Sequence, residues 1–254
     1  MSDFSNIKTG FSKAKLSVIQ RSRPGGFGVG ARDAFFCEIV KHKGTPMFSI
    51  WPGAETNQVQ VLDTDVAFKQ LVLMVKEEAR VIQMREWDTN LRKNVIRSIK
   101  VPAAKRKFLL GFDERDLFMA QLPASKPITT VRQAHEALRN PSLPREKKMK
   151  IQRQGEWFFR PINNEESTIL SVNEKIIERN ARINKKVLRG KPHTAEEYLE
   201  IGTSIDPVSR AIVPGSMFAR GRISHSDHAS LNLRTWHRVY PNAEDRSANA
   251  RWID

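Results

Sequence analysis

The chain has 254 residues, of which 39% are hydrophobic and 28% are charged, and this composition excludes a fully disordered protein. The longest apolar run, Leu71–Val75, is far shorter than the ~20 residues of a membrane-spanning helix, so no membrane partner is expected. Lys and Arg total 43 against 28 Asp and Glu. The resulting charge of +15 predicts a polyanionic partner, with nucleic acid as the class.

The first part of the chain is predicted to form a small antiparallel sheet, because short apolar runs alternate there with turn residues. The predicted strands are Leu16–Gln20, Ala34–Lys41, Met47–Trp51 and Val59–Leu62. Cys37 lies in the second of these strands and is expected to be a small buried hydrophobe. A single cysteine excludes a disulfide framework and fits a reducing cytoplasm, the location we expect.

Two helices are predicted next. Thr64 or Asp65 fits an N-cap, and an amphipathic helix is expected to run from there to about Trp87. A second helix is expected over about Asn90–Ile99, before Pro102. The apolar face of the first helix would carry Phe68, Leu71, Val72, Val75, Ala79 and Ile82.

A hairpin of Lys107–Gly111 and Asp116–Leu122, and a short helix over Thr130–Leu138, are predicted to complete an N-terminal domain of residues 1–140. Residues 141–153 are predicted to be a basic linker, because two prolines accompany a run of bases there. Residues 154–254 are then expected to form a second domain.

The second domain is predicted to be rich in antiparallel β-structure. Its expected strands are Glu156–Ile162, Met217–Ile223, Ala229–Leu233 and Thr235–Tyr240, with a helix over Asn173–Lys185. The predicted fold class is therefore α+β, with a small mixed N-terminal domain and a C-terminal antiparallel β-rich domain that contains most of the histidines.

Two runs of basic residues are candidates for contact with a phosphate backbone, because each neutralised phosphate releases counterions. The alternative is that they are a solvated face and a soluble linker. The first run contains Arg92, Lys93, Arg97, Lys100, Lys105, Arg106 and Lys107, and the second contains Lys147, Lys148, Lys150 and Arg153.

Four histidines near the C-terminus are the candidate catalytic residues: His193, His225, His228 and His237. His225, Asp227, His228 and His237 also form a candidate ligand set for a divalent metal, with Zn or Mn as the expected ions. Without a metal, two neutral imidazoles suit acid–base cleavage of a phosphodiester. A polar turn between strands explains the same spacing without any site.

Several segments of the second half resemble a family of uncharacterised microbial proteins. Members pair an Arg-Gln-Gly-Asp/Glu-Trp-Phe-Phe strand with a later Arg-Gly…His-x-Asp-His…Trp-His-Arg-Val segment. The resemblance implies a domain in which the four histidines lie near the functional end, and it implies no reaction. The matching segments are Gly111–Leu122, Val131–Leu138, Arg153–Arg160 and Arg220–Val239.

The leading hypothesis from the sequence is a nucleic-acid-associated protein that binds mainly the phosphate backbone of RNA or DNA. A His-dependent nuclease is its sharper form. One alternative is a structural or interaction component of a phage or other macromolecular assembly. The other is an enzyme, acting through a metal or through acid–base chemistry on a non-nucleic substrate, such as a metal-dependent hydrolase.

Overall fold

A computed structural model describes residues 4–21, 33–90, 92–113, 116–144, 150–183, 192–202, 204–205, 212–213, 215–226 and 228–243. Strands dominate these residues and most of them pair antiparallel, which fits the α+β class in broad terms. The described chain divides into two compact units, residues 4–112 with 117–138, and residues 113, 116 and 139–243. None of the described helices is long and apolar enough to cross a membrane.

The first unit contains three groups of paired strands and two helices. The strand orders are β1-β3-β2, β4-β5-β8-β9 and a separate two-stranded ribbon, β6-β7. The elements are α1 (Phe4–Lys13), β1 (Val18–Gln20), β2 (Phe36–His42), β3 (Thr45–Trp51), β4 (Gln58–Asp65), β5 (Gln70–Glu77), β6 (Arg80–Asp88), β7 (Lys93–Val101), β8 (Ala104–Asp113), β9 (Asp116–Gln121) and α2 (Val131–Leu138). The predicted strands of the first part, the β8–β9 hairpin and α2 are confirmed. The single antiparallel sheet predicted for the first four strands is wrong, because β1 pairs with β3 in parallel and β4 belongs to the four-stranded sheet. Helix α1 was not predicted.

The first predicted helix, which was to end at about Trp87, is wrong, because β5 and β6 occupy this segment. Strand β5 is buried on both faces: Leu71 and Val75 pack in the core that includes α1, and Val72 packs in the cluster that includes α2. A strand covered on both faces reads as a continuous apolar run. Such a run also satisfies helical spacing, so the spacing alone did not distinguish the two.

Asp65, one of the two predicted helix N-caps, caps a turn between two strands. A carboxylate oxygen of Asp65 accepts hydrogen bonds from the backbone N–H groups of Ala67 and Phe68, at 2.9 and 3.0 Å. These bonds close the turn between β4 and β5. Short polar side chains cap turns as readily as helices, which explains the wrong assignment.

The second predicted helix is also wrong, since β7 covers most of it. Strands β5 and β8 pair up to Glu77 opposite Ala104, and β6 and β7 resume the same register with Arg80 opposite Val101. The β6–β7 ribbon is therefore the extension of the β5–β8 pair beyond the four-stranded sheet. Its nine residue pairs span about 30 Å at ~3.4 Å per residue. We call this ribbon the arm.

The second unit is built on a six-stranded sheet with the order β10-β11-β17-β16-β13-β12. Its apolar core contains Trp157, Phe159, Tyr198 and Leu233. The elements are β10 (Gln152–Gln154), β11 (Trp157–Pro161), α3 (Asn164–Val172), a 3-10 turn (Glu174–Ile176), β12 (Glu178–Arg182), β13 (Thr194–Ile201), β14 (Ser204–Ile205), β15 (Ile212–Val213), β16 (Ser216–His225) and β17 (His228–Pro241).

The predicted strand at β11 and the one at β16 are confirmed, and the last two predicted strands are parts of the single strand β17. The helix predicted over Asn173–Lys185 is wrong, because a 3-10 turn and β12 lie there. The helix of this region is α3, which ends at Val172, one residue before the predicted helix begins. Asn163 caps it and exchanges hydrogen bonds with Glu166 in a capping box, a start signal that the sequence analysis missed.

Candidate functional site

Strand pairing brings three of the four candidate histidines into one row across the second unit's sheet. His225 ends β16 and lies directly opposite His228, the first residue of β17. On the other side, Thr194 pairs with Ser224, which places His193 opposite His225. Side chains opposite each other on adjacent strands share a face and approach within about 5 Å.

The three imidazoles are in mutual contact. Ring centroids are 4.2 Å apart for His193 and His225, 4.9 Å for His225 and His228, and 5.5 Å for His193 and His228. One ring nitrogen from each histidine lies within 4.8 Å of those of the other two. His193 is 2% exposed, and the other two are half-buried. We call these three residues the histidine cluster.

The turn between β10 and β11 packs against the histidine cluster. Gly155 occupies this turn with φ +55°, a left-handed conformation that favours glycine. A Cβ atom on Gly155 would lie 2.8 Å from Nε2 of His228 and 3.1 Å from Nε2 of His193. The buried Gln154 amide fixes the turn by donating to the carbonyl of Ala229. Nε2 of His193 and Nε2 of His228 therefore both lie beside a position that has no side chain.

The surroundings of His193 and His228 indicate which of their ring nitrogens remain for a ligand. Oε1 of Glu156 lies 3.6 Å from Nδ1 of His193, whereas Nε2 of the same ring lies beside Gly155. Nδ1 of His228 is buried and has no hydrogen-bond partner among the described residues. A buried polar atom in that state costs about 1–3 kcal/mol. The arrangement can bind a cation or exchange protons with a substrate.

The fourth histidine is in a different environment. Nδ1 of His237 donates to the carbonyl of Thr235 at 2.7 Å, and Nε2 accepts from the side-chain amide of Gln152 at 3.3 Å. Burial lowers the pKa of His237, and the bond to Thr235 opposes this only in part. Both ring nitrogens are thus used in folding, and His237 does not join the described histidine cluster. Asp227, the predicted carboxylate ligand, lies outside the described residues.

The first run of predicted phosphate contacts divides between the arm and β8. Arg92, Lys93, Arg97 and Lys100 are exposed at the turn and along β7 of the arm. Arg97 forms an ion pair with Glu86 of β6 at 3.4 Å. Arg85 lies on β6 and is exposed too; the sequence analysis missed it, because that segment was assigned to a helix.

The bases on β8 take part in the fold more than those on the arm. Lys105 is exposed, whereas Arg106 forms an ion pair with the buried Glu77. The ammonium group of Lys107 donates to the carbonyl of Ile128. Burial, with a smaller effect of Lys105, lowers the pKa of Lys107.

Of the second run, two residues are described. Lys150 is exposed. Arg153 donates to the carbonyl of Gly155 at 2.8 Å and forms an ion pair with Asp113 at 3.2 Å. Lys147 and Lys148 lie outside the described residues.

Gly155 and Glu156 are site residues that the sequence pattern did not predict. They lie in the Arg-Gln-Gly-Glu-Trp segment between two strands, where the sequence pattern indicates only a strand and a family resemblance.

Cys37, in contrast, is buried as predicted, and burial raises the pKa of its thiol to about 12. Comparison with known protein families, with curated protein sequences and with solved structures finds no match, so the resemblance stays a prediction.

Proposed function

We propose that the protein binds nucleic acid through the arm, with duplex DNA as the ligand that fits best. The observation that carries this proposal is the exposed positive charge of the arm. Its two strands and their turn contain six bases and two acids: Arg80, Arg85, Arg92, Lys93, Arg97 and Lys100, with Glu86 and Asp88. Such an excess on an element that projects from a sheet suits contact with phosphates.

The six bases differ in whether a described acidic side chain pairs with them. Arg80 and Arg97 form ion pairs with Glu77 and Glu86. The other four, which we call the arm cations, form no ion pair with the side chains that the structure describes. They are Arg85, Arg92, Lys93 and Lys100.

One face of the arm combines charge with exposed apolar groups. Residue pairing places Arg85 beside Ile96 and Val81 beside Lys100, with Trp87 two residues further along the same face. Ile96 is 72% exposed and Trp87 is 57% exposed. Apolar side chains of this kind contact thymine methyl groups and base edges, so this face has both components of a nucleic-acid contact.

The shape of the arm favours DNA over duplex RNA. The major groove of B-DNA, about 12 Å wide, admits a two-stranded β-ribbon. The major groove of A-form RNA is deep and too narrow for side chains to read. We therefore expect tighter binding to duplex DNA than to duplex RNA of the same sequence.

The experiment compares two variants of equal charge. In the arm variant the four arm cations are replaced by glutamine. In the control variant, Lys8, Lys13, Lys41 and Lys43, which are exposed on the first unit, are replaced by glutamine. Exposed ion pairs contribute about 0.2–1 kcal/mol each, so the loss of four should weaken duplex DNA binding by about fourfold to several hundredfold in fluorescence anisotropy.

The control variant should bind like the unmodified protein, since its substitutions lie on α1 and at the β2–β3 turn. If both variants lose affinity equally, net charge and not the arm is responsible, and the proposal fails. If neither loses affinity, the arm is not the binding element.

Several finer assignments belong to the same proposal. Lys147, Lys148, Lys150 and Arg153 would add phosphate contacts from the basic segment of residues 141–153, between domains of residues 1–140 and 154–254. A reducing cytoplasm would be the location. Cleavage of the bound nucleic acid by the histidine cluster would make the protein a nuclease, and loss of cleavage in His225→Ala would test this.

One observation favours a second candidate, a component of a macromolecular assembly. Val81, Ile96 and Trp87 are exposed on a ribbon that pairs with no other described strand. A two-stranded ribbon is marginally stable by itself, so pairing of the arms of two copies would stabilise both. Oligomers that survive nuclease treatment and that Ile96→Asp dissociates would support this candidate over DNA binding.

A further inference from the structure

We propose that His193, His225 and His228 bind one divalent transition-metal ion of the class that prefers imidazole, with zinc as the first choice. This inference is argued from residues of the second unit alone and does not rest on DNA binding by the arm. It changes the sequence-based ligand set, because His193 joins His225 and His228 and His237 does not, while Asp227 lies outside the described residues.

The donor atoms select the class of metal. Every donor in the described cluster is an imidazole nitrogen, and imidazole suits Zn, Cu, Fe and Ni. Magnesium, calcium and manganese favour carboxylate, carbonyl and water oxygens. Of the two ions expected from the sequence, Zn therefore fits this cluster better than Mn.

The number of protein ligands points to an open site. Structural zinc sites use four protein ligands, whereas catalytic zinc sites use three and leave the fourth position to water or substrate. Three imidazoles come together among the described residues, and this number matches the catalytic class of site. Zinc bound in this way lowers the pKa of its water to about 7.

Gly155 supports the proposal by leaving room at the point where donors meet. The position of an added Cβ lies within about 3 Å of both Nε2 of His193 and Nε2 of His228. A side chain at residue 155 would occupy the space beside these nitrogens, and glycine leaves it open.

Glu156 is placed to act as a positioning residue. Metal-bound histidines commonly donate their second N–H to a carboxylate, which fixes the tautomer and orients the ring. Oε1 of Glu156 lies 3.6 Å from Nδ1 of His193, whereas the ring nitrogen beside Gly155 is Nε2. A proton held on Nδ1 leaves Nε2 as the ligand.

The test measures zinc binding to the full chain after treatment with a chelator. Unmodified protein and His42→Ala, a variant of an exposed histidine in the first unit, should each bind one zinc ion per chain with a Kd of about 1 μM or tighter. Co²⁺ in place of zinc should give the visible absorption of a complex with nitrogen ligands.

Substitutions of Glu156, His225 and His228 distinguish a specific zinc site from adventitious zinc binding. Losing an orienting carboxylate costs about 10- to 100-fold in metal affinity. Glu156→Gln should therefore fall in that range, and His225→Ala and His228→Ala should lose more than about 100-fold. His225 and His228 are preferred over His193 because they are half-buried, and far-UV circular dichroism reports whether each variant folds.

Two results would overturn the proposal. One is the absence of stoichiometric zinc binding in the unmodified protein. The other is equal zinc affinity in folded His225→Ala and in His42→Ala. Retention of DNA binding by folded His225→Ala is expected in either case, so failure of the metal site and failure of the proposed function can be told apart.

Discussion

Gly155→Ala is the substitution that tests the geometry of the histidine cluster most sharply. Gly155 has φ +55°, and an L side chain in a left-handed conformation costs about 1–2 kcal/mol. The added Cβ would also lie 2.8 Å from Nε2 of His228, and overpacking of this kind costs about 1–3 kcal/mol more. We therefore expect the free energy of unfolding to fall by about 2–5 kcal/mol.

Two other glycines separate these contributions. Gly44 has φ +82° and nothing within 4 Å of an added Cβ, so Gly44→Ala should cost only the backbone part, about 1–2 kcal/mol. Gly202 has open space and no positive φ, so Gly202→Ala should change stability by about 0.5 kcal/mol or less.

Urea unfolding followed by circular dichroism gives the three stability changes, and zinc titration gives the effect on the site. Gly155→Ala should weaken zinc binding, because the Cβ displaces the two imidazoles, whereas Gly44→Ala should leave it unchanged. The reasoning is refuted if Gly155→Ala is no more destabilising than Gly44→Ala and binds zinc as tightly as the unmodified protein.

Two further predictions concern buried charge in the second unit. Glu166→Gln leaves the guanidinium of Arg160, whose side chain is 7% exposed, without its carboxylate partner, so the free energy of unfolding measured in urea should fall by about 3–5 kcal/mol. Arg238→Gln removes a more exposed partner of Glu166 and should lower it by about 1 kcal/mol or less. Equal losses in the two variants would contradict the assignment. Burial lowers the pKa of His237 in the folded protein. As the pH falls, this imidazole is therefore protonated in the unfolded chain before it is protonated in the folded protein, and the free energy of unfolding should decrease below about pH 6.5. His237→Gln should reduce this dependence in urea midpoints measured at several pH values, and an unchanged dependence would be the contrary result.

The parts of the fold that sequence predicted well are those where one signal dominates. The apolar runs of β2, β3 and β11 are short and bounded by turns, and α2 follows a threonine that caps it through its hydroxyl group, which accepts from the N–H of Gln133. The errors arose where one pattern fits two structures. Strand β5 is buried on both faces, and its apolar run satisfies a helical period as well as an extended one.

The candidate site was predicted in part, for a physical reason. His225 and His228 are close in sequence, so their spacing indicated proximity whichever structure they adopted. His193 joins them only through the register of β13 against β16, and Gly155 only through the turn that packs over the sheet. Register depends on pairing between distant strands, which residue spacing along one chain does not encode.

The measurement that tests the central claim most directly is the salt dependence of duplex DNA binding by the unmodified protein and the arm variant. Each phosphate contact contributes about 0.9 to the slope of log affinity against log salt concentration. Removal of the four arm cations should therefore reduce the magnitude of the slope by about 3 to 4. An affinity that does not change between about 50 and 300 mM salt, or equal slopes for the two proteins, would contradict binding through the arm.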